Sequence, residues 1–255
     1  MPSGSSAHAK LSRASQQCEA LKNDLAVLSD VSSYTLAKDT DLASGRLCFR
    51  FDQVPLVPHD LELRIGEVLY NYRCSLDHLI WQLVLSEGNR PTCHHEFPIF
   101  KDESEYKSKR VRTRIEGAHP KAIAIIDECQ PYNCRSPRDR RRYLWYLHRL
   151  NNIDKHRQLL VTRRAIPWRA VGWFGPLEPK FHWLAGPVEV NGELVSVEVP
   201  PGVADVQPRF IVKVHFSDLP DDLEASVPVD RIMAGIDSAV DMVFSKLSPF
   251  LKMVS

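Results

Sequence analysis

The sequence predicts an α+β protein that is mainly a helical bundle, with a small antiparallel sheet inserted between its helices. The chain has 255 residues, of which 44% are hydrophobic, so it can bury a sizeable core. Apolar residues recur at helical spacing before and after residues 159–218, whereas short alternating segments occupy that interval. We therefore predict a single domain over residues 1–255, with the bundle in 7–160 and 228–252 and the sheet inserted at about 159–218.

The first element is predicted to be an amphipathic helix over Ala7–Val31. Its apolar residues follow a heptad-like spacing, which is typical of a helix with one buried stripe. Residues Tyr34–Gln53 are predicted to be extended, because Leu47–Phe51 alternates in part. Pro55 and Pro58 then interrupt the chain before the next helix. The stripe of the first helix consists of Leu11, Cys18, Leu21, Leu25 and Leu28.

The second helix is predicted to begin after Asp60, a residue type that can cap it, and to end near Ser86. Arg73 and Asp77 lie one turn apart at the edge of its apolar stripe, so they can form an ion pair along the helix. His78 falls on the opposite face. Isolated ion pairs of this kind are usually structural.

Two shorter segments follow the second helix. Phe97–Phe100 ends a loop and is predicted to pack under the helices. Pro120 opens a short helix that is predicted over Lys121–Cys129, and Gln130–Tyr132 then forms a turn.

The segment Ser136–Leu160 is predicted to be the central helix and to carry the functional site. Ser136 suits the N-cap, Pro137 suits the first helical position, and Asp139 suits the positive end of the helix dipole. Successive residues are about 100° apart on a helix, which gives this segment one apolar and one polar face. The polar face carries Trp145, Arg149, Asn152 and His156.

Asp154 points by its phase into the apolar face of the central helix. A lone buried charge is very costly, so Asp154 is expected to have a partner, for which Arg73 is a candidate. An alternative interpretation of the polar cluster is simple helix termination. In that case Lys155, His156 and Arg157 complement the negative end of the dipole in the last turn.

Beyond the central helix, short alternating segments predict a small antiparallel sheet. Asn191-Gly192 is a strong two-residue hairpin signal between Val188–Val190 and Leu194–Val197. The chain then returns to an amphipathic helix over Val229–Leu251. The other predicted strands are Leu159–Thr162, Phe181–Leu184 and Phe210–Phe216.

The formal net charge is only +1, which excludes a global field that would draw the protein to nucleic acid or to a membrane. Basic residues form two local clusters that could bind phosphate, although solvated helix faces commonly look the same. The N-terminus lacks an apolar signal core and no apolar run could span a bilayer, so we expect a cytoplasmic protein without a membrane partner. The first basic cluster consists of Lys107, Lys109, Arg110, Arg112 and Arg114. The second basic cluster consists of Arg135, Arg138, Arg140, Arg141 and Arg142.

The six cysteines are scattered along the chain and are expected to be reduced. Cys93-His94-His95, together with Cys129 and Cys134, could supply zinc ligands. There is no CxxC pair, however, and three adjacent residues rarely all face one metal. We therefore predict neither a metal nor a cofactor.

Two motifs resemble a broad group of uncharacterised bacterial proteins. Tyr72–Leu79 looks like an LRxxLDH-type helix, and Leu150–Arg157 looks like an LNxxDKHR-type helix. The pair Arg149 and His156 is also similar to the Arg–His motif of the HEPN superfamily, which lies at the end of a bundle helix. The resemblance implies a HEPN-like helical bundle, often a homodimer, and metal-independent cleavage of RNA.

In such a ribonuclease, Arg149 would bind phosphate and His156 would exchange a proton with the ribose 2′-hydroxyl. Asn152 would orient the ring or the substrate. We predict these three catalytic residues, with RNA as the partner and a role in stress response or phage defence. The predicted supporting residues are Arg73, Asp77, His78, Asp154, Lys155 and Arg157.

The alternative is a non-catalytic binding or dimerisation module with an unknown protein partner. In that case the Arg, Asp and His cluster would be structural. Leu150 favours this alternative, because HEPN nucleases usually carry a polar residue directly after the arginine.

Overall fold

The computed structural model confirms the predicted α+β class, with long helices and antiparallel sheets. The chain divides into two compact units. The first comprises Met1–Leu21, Asp60–Leu159 and Arg231–Ser255, and the second comprises Lys22–His59 and Leu160–Asp230. The structure describes residues 5–30, 32, 34–41, 46–53, 58, 60–174, 178–182, 188–189, 195–197, 206–224 and 226–251.

The helices occur in both halves of the chain. Short 3₁₀ segments follow several helices, for example at Thr113–Ile115, Pro131–Asn133 and Ser248–Phe250. In the described part of the chain, no helix combines the length and hydrophobicity that a bilayer crossing requires. The α-helices are α1 Ser5–Ser29, α2 Leu61–Ser86, α3 Glu103–Tyr106, α4 Lys109–Arg112, α5 Pro120–Glu128, α6 Arg142–His156 and α7 Val229–Leu247.

A polar contact ties three helices of the first unit together. Asp237 of α7 accepts hydrogen bonds at Oδ1 from Tyr72 Oη of α2 at 2.6 Å and from Ser15 Oγ of α1 at 2.9 Å. Tyr72 is fully buried, so its hydroxyl needs such an acceptor. The apolar part of this core is supplied largely by the stripes of α2 and α7.

The helices α2 and α6 approach each other closely at Gly66. A Cβ atom placed on Gly66 would lie 2.4 Å from Oδ1 of Asp154, which is closer than any van der Waals contact. Gly66 is buried, so a larger residue here would have to displace the Asp154 carboxylate or the helix. The absence of a side chain at Gly66 thus makes room for the Asp154 carboxylate of α6 against α2.

Several helix predictions are confirmed. Asp60 precedes α2 as predicted, although its carboxylate pairs with Arg64 at 3.0 Å rather than capping the helix. Pro120 is the first residue of α5, and α7 begins at Val229 as expected. Phe97 is fully buried, which confirms that its loop packs under the helices.

The predicted start of the central helix at Ser136 is wrong. The helix α6 begins at Arg142, and the preceding residues form turns. Asp139 explains the difference, because its carboxylate accepts from the backbone amides of Arg141 at 3.1 Å and Arg135 at 3.3 Å. Aspartate side chains that bond to nearby backbone in this way compete with helix formation.

The strands form two antiparallel sheets instead of the single sheet that was predicted. One sheet has the order β1-β2-β6 and the other has the order β4-β3-β5, with β7 also paired to β3. The strands are β1 Thr35–Asp41, β2 Arg46–Gln53, β3 Val161–Phe174, β4 Glu178–His182, β5 Val188–Glu189, β6 Val195–Val197 and β7 Val206–Phe216.

The predicted Asn191-Gly192 hairpin is not formed by these strands. Strand β5 pairs with β3, whereas β6 pairs with β2, so the two arms of the expected hairpin belong to different sheets. Residues 190–194, which comprise the turn and the adjoining end of each arm, lie outside the described residues. A local turn signal therefore did not decide which strands pair.

Strand β3 is much longer than the predicted segment Leu159–Thr162. It continues through Pro167 to Phe174 and pairs with β7 along most of its length. The register shifts between Pro167 and Arg169, where the proline cannot donate a ladder hydrogen bond.

The predicted bundle range 7–160 also includes residues 22–59, which the structure groups with the sheets. The single-domain organisation stays a prediction.

Candidate functional site

One face of α6 remains polar and accessible, as the sequence predicted. Its members recur at intervals of three and four residues, and all are half-buried or exposed. Leu144, Leu147 and Leu150 on the opposite side are fully buried. We call the accessible set the α6 face. It consists of Trp145, His148, Arg149, Asn152, Lys155 and His156.

His148 lies at the centre of the α6 face and was not among the predicted site residues. Its ring stacks on Trp145 with centroids 5.4 Å apart and an interplanar angle of 27°. Asn152 Nδ2 lies 3.1 Å from His148 Nε2, so in this arrangement the amide donates and the imidazole nitrogen accepts. The Arg149 guanidinium lies 5.9 Å from the centroid of the Trp145 ring. These contacts hold the imidazole from two sides.

The electrostatic surroundings of His148 are strongly positive. Burial lowers its pKa most, and the charges of Arg73, Arg149, Lys155 and Arg114 lower it further, to about 4. The imidazole is therefore neutral near pH 7, because burial and the four nearby cations both disfavour its charged form. This positive field disfavours protonation of the imidazole and attracts anions.

Arg73 and Arg114 are held by two carboxylates. Arg73 Nη2 lies 3.0 Å from Oδ1 of Asp77, which confirms the predicted ion pair within α2, and 3.7 Å from Oε2 of Glu96. Arg114 Nη1 lies 2.5 Å from Oε1 of the same glutamate. Glu96 thus bridges two arginines from distant parts of the sequence. We call Arg73, Asp77, Glu96 and Arg114 the arginine–carboxylate cluster.

The arginine–carboxylate cluster and the α6 face act on each other electrostatically. Burial raises the pKa of Asp77, and Glu96 raises it too, whereas Arg73, the Phe97 amide and Lys155 lower it. Lys155 therefore influences both Asp77 and His148. The combined site has four cations, namely Arg73, Arg114, Arg149 and Lys155, and two carboxylates, so it carries an excess of two positive charges.

A cleft opens beside the arginine–carboxylate cluster and shares Glu96 and Arg114 with it. The cleft has a volume of about 480 Å³. Its lining is polar and includes two arginines, so it is suited to a charged ligand rather than an apolar one. The residues that line it are Cys93, His94, Glu96, Arg110, Thr113 and Arg114.

The expected partnership of Asp154 with Arg73 is wrong, since Arg73 pairs with Asp77. Asp154 is half-buried against Gly66 and makes no hydrogen bond or ion pair with the described residues. Burial raises the pKa of its carboxyl. Because the helices pass so closely at Gly66, the carboxylate is partly desolvated without being neutralised by a cation.

The other predicted residues lie nearer the margin of this site. His156 is exposed in the last turn of α6 and makes no hydrogen bond, ion pair or ring contact with the described residues. Arg157 is exposed, and its backbone amide donates to the carbonyl of Ile153 at 2.8 Å, which closes the helix. His78 is half-buried on α2. The structure thus gathers Arg149, Asn152 and Lys155 around His148 rather than around His156.

His148 could have been found from the sequence, since it precedes Asn152 by four residues and Lys155 by seven. Glu96 and Arg114 carry no such signal, because the fold alone brings their segments to α2.

The suggested zinc ligands are not assembled. Cys129 is buried, and burial raises the pKa of its thiol to about 11. Within the described ranges, no three His, Cys, Asp or Glu residues form a metal-ligand group.

Comparisons with known proteins give no relative from which a role could be transferred. No family model matches the chain, and no curated protein or solved structure is significantly similar to it. The resemblance to the bacterial group therefore depends on the two helix motifs alone, and the HEPN resemblance depends on the Arg149 and His156 pair alone. Both stay predictions.

Proposed function

We propose that the α6 face binds the phosphodiester backbone of RNA and cleaves it without needing a metal. The observation that carries this proposal is the environment of His148, a neutral imidazole among four cationic side chains. Guanidinium and ammonium groups bind phosphate through charge-assisted hydrogen bonds. The neutral imidazole supplies a proton acceptor beside the bound phosphate.

In the proposed reaction, the Asn152 amide turns away from Nε2 of His148, and this nitrogen takes the proton of a ribose 2′-hydroxyl while the 2′-oxygen attacks the adjacent phosphorus. The bond from phosphorus to the 5′-oxygen breaks, and the departing oxygen receives a proton from solvent or from the imidazolium. The products are a 2′,3′-cyclic phosphate and a 5′-hydroxyl. Arg149 and Lys155, both on the α6 face, stabilise the extra negative charge of the phosphorane. Phosphate binding offsets the nearby positive charge, so it raises the pKa of His148 towards neutrality and strengthens it as a base.

The first test compares the two candidate histidines. End-labelled RNA is incubated with wild-type protein, His148→Gln or His156→Ala in excess EDTA. We expect His148→Gln to lower the rate of cleavage by at least about a hundredfold, which is typical of a lost general base. His156→Ala is expected to stay within a few-fold of wild type. The reverse result would assign the chemistry to His156, and no cleavage by the wild type would contradict the ribonuclease proposal.

A second candidate function is a non-catalytic RNA-binding module. The observation that favours it is the ion-pair set of Arg73, Asp77 and Glu96, which joins α2 to the Phe97 loop and has a structural role of its own. This candidate predicts that the wild type binds RNA but leaves it intact. His148→Gln would then change affinity only slightly.

The proposal also includes a homodimer in the cytoplasm, where RNA is the partner and defence against phage is one possible setting. Two copies could present two α6 faces to one RNA strand and so supply both a general base and a general acid. The molar mass in solution, measured by light scattering, tests the dimer directly. A monomeric mass together with full RNA cleavage would show that one copy is sufficient.

A further inference from the structure

The cleft beside the arginine–carboxylate cluster contains cationic groups that the proposed backbone contacts do not use. Arg110 is exposed on α4, and Arg114 is half-buried on the following 3₁₀ turn, and both line the cleft. Thr113 adds a hydroxyl between them. Glu96 is the single carboxylate of this lining, so the walls of the cleft carry more positive than negative charge.

Glu96 occupies the position between two guanidinium groups that an oxyanion would take. Its two oxygens face Arg114 at 2.5 Å and Arg73 at 3.7 Å. Arg73 is nine-tenths buried, and its Nη1 makes no hydrogen bond with the described residues. Buried donors are rarely left in this state. An anion that displaced the Glu96 carboxylate would lie beside this guanidinium.

The charge of the site indicates which anion fits. Once the Glu96 carboxylate is displaced, the three guanidinium groups of Arg73, Arg110 and Arg114 face one carboxylate, Asp77, which leaves an excess of two positive charges at the cleft. A phosphodiester carries one negative charge, whereas a phosphate monoester carries close to two near neutral pH and has three terminal oxygens. Forked guanidinium groups match such oxygens well. A monoester therefore complements the cleft and its surroundings better than an internal phosphate of RNA does.

We propose that this cleft binds a terminal phosphate monoester of the RNA that lies on the α6 face, with Arg110 and Arg114 as its direct contacts. This proposal rests on the proposed function and specifies it, because it makes the protein selective for phosphorylated RNA ends. The Glu96 carboxylate closes the empty site and is displaced when the monoester binds. The cleft and the α6 face then hold adjoining parts of one strand.

The experiment measures the affinity for one short RNA sequence prepared with a 5′-phosphate, a 3′-phosphate or hydroxyls at both ends. The RNA is 2′-O-methylated, so that cleavage cannot alter its ends. A nucleoside 5′-monophosphate is the fourth ligand, and it distinguishes a free nucleotide from an RNA end. Fluorescence anisotropy or calorimetry reports the binding of each ligand.

We expect one phosphorylated end to bind about tenfold more tightly than the hydroxyl form, as one additional charge-assisted contact would give. Arg110→Gln should abolish this preference. Lys109→Gln is the matched control, because Lys109 is exposed on the same helix but does not line the cleft, and it should keep the preference. Glu96→Gln should strengthen monoester binding by removing the competing carboxylate, whereas Glu105→Gln should not.

The failures of the two proposals are distinguishable. If hydroxyl-ended and phosphorylated RNA bind equally well, the monoester site is refuted and RNA binding by the α6 face still stands. If the preference survives in Arg110→Gln, the cleft is not the site and this inference is overturned. If no RNA binds but the nucleoside monophosphate binds in an Arg110-dependent way, the cleft is a phosphate site and the proposed RNA function fails.

Discussion

At the scale of single residues, the contrast between His148 and His156 decides where proton transfer is possible. His156 is exposed at the end of α6, whereas His148 stacks on Trp145 and meets the Asn152 amide. The fixed position of His148 preorganises it for reaction with a bound substrate. An exposed imidazole without contacts has no such constraint.

The pH dependence of stability should reveal the environment of His148. Its pKa is lowered from 6.5 to about 4 in the folded protein, so the unfolded chain binds this proton more tightly between those values. Stability should therefore fall as the pH drops from about 6.5 towards 4, with a slope of at most about 1.4 kcal/mol per pH unit. Denaturant unfolding at several pH values measures this slope.

His148→Gln should remove that part of the slope, and His156→Gln is the matched control that should retain it. Both variants delete one histidine from the same helix face, but only His148 is buried among cations. Parallel stability curves for wild type and His148→Gln would show that the folded protein does not perturb this imidazole.

At the scale of elements, Asp77 connects α2 to the loop that carries Glu96. Its Oδ1 accepts from the Phe97 amide at 2.9 Å and lies 3.0 Å from Arg73 Nη2. The fully buried Phe97 ring lies at the same junction. One carboxylate thus neutralises a buried guanidinium and holds the loop that forms one wall of the cleft.

Asp77→Ala should lower the free energy of unfolding by about 2–3 kcal/mol, because it leaves a buried arginine and a backbone amide without their acceptor. Asp60→Ala is the matched control. It removes the carboxylate of another i,i+4 pair on α2, but Asp60 is exposed, so the loss should be below about 1 kcal/mol. Chemical denaturation compares the two variants, and equal losses would mean that Asp77 acts only as a surface charge.

At the scale of the whole molecule, a nearly neutral chain concentrates positive charge in one region. The net charge is +1, but four cations surround His148, so attraction of a polyanion depends on this local field. Binding of single-stranded RNA releases counterions in proportion to the phosphates that are neutralised. The salt dependence of binding therefore counts the contacts.

If three or four phosphates are neutralised, the logarithm of the binding constant should fall with the logarithm of salt concentration with a slope of about −2 to −3. Replacing both Arg149 and Lys155 by Gln should make the slope shallower by about 1.4. The control replaces two exposed lysines outside the site, Lys101 and Lys121, and should keep the wild-type slope. An unchanged slope in the site variant would place the RNA elsewhere.

The elements that could be predicted from the sequence are those decided by local chemistry. The helices α2, α5 and α7 follow from apolar periodicity with a proline or aspartate near the start, and the polar face of α6 follows from spacing alone. The Arg73–Asp77 pair is equally local, because residues four apart are neighbours on any helix. The residues of the α6 face and the Arg73–Asp77 pair therefore follow from positions along two helices.

The remaining features depended on side-chain hydrogen bonds to the backbone and on contacts between distant parts of the chain, neither of which apolar periodicity reveals. The Asp139 carboxylate bonds to nearby backbone and delays the start of α6, and the arms of the expected hairpin pair with β3 and β2 instead of each other. Glu96 reaches Arg73 from a loop, and Arg114 reaches Glu96 from a 3₁₀ turn, although no periodic pattern links either segment to α2. Such pairings depend on the free energy of the packed core and on the neutralisation of charges within it. Both are properties of the folded chain and not of any one segment.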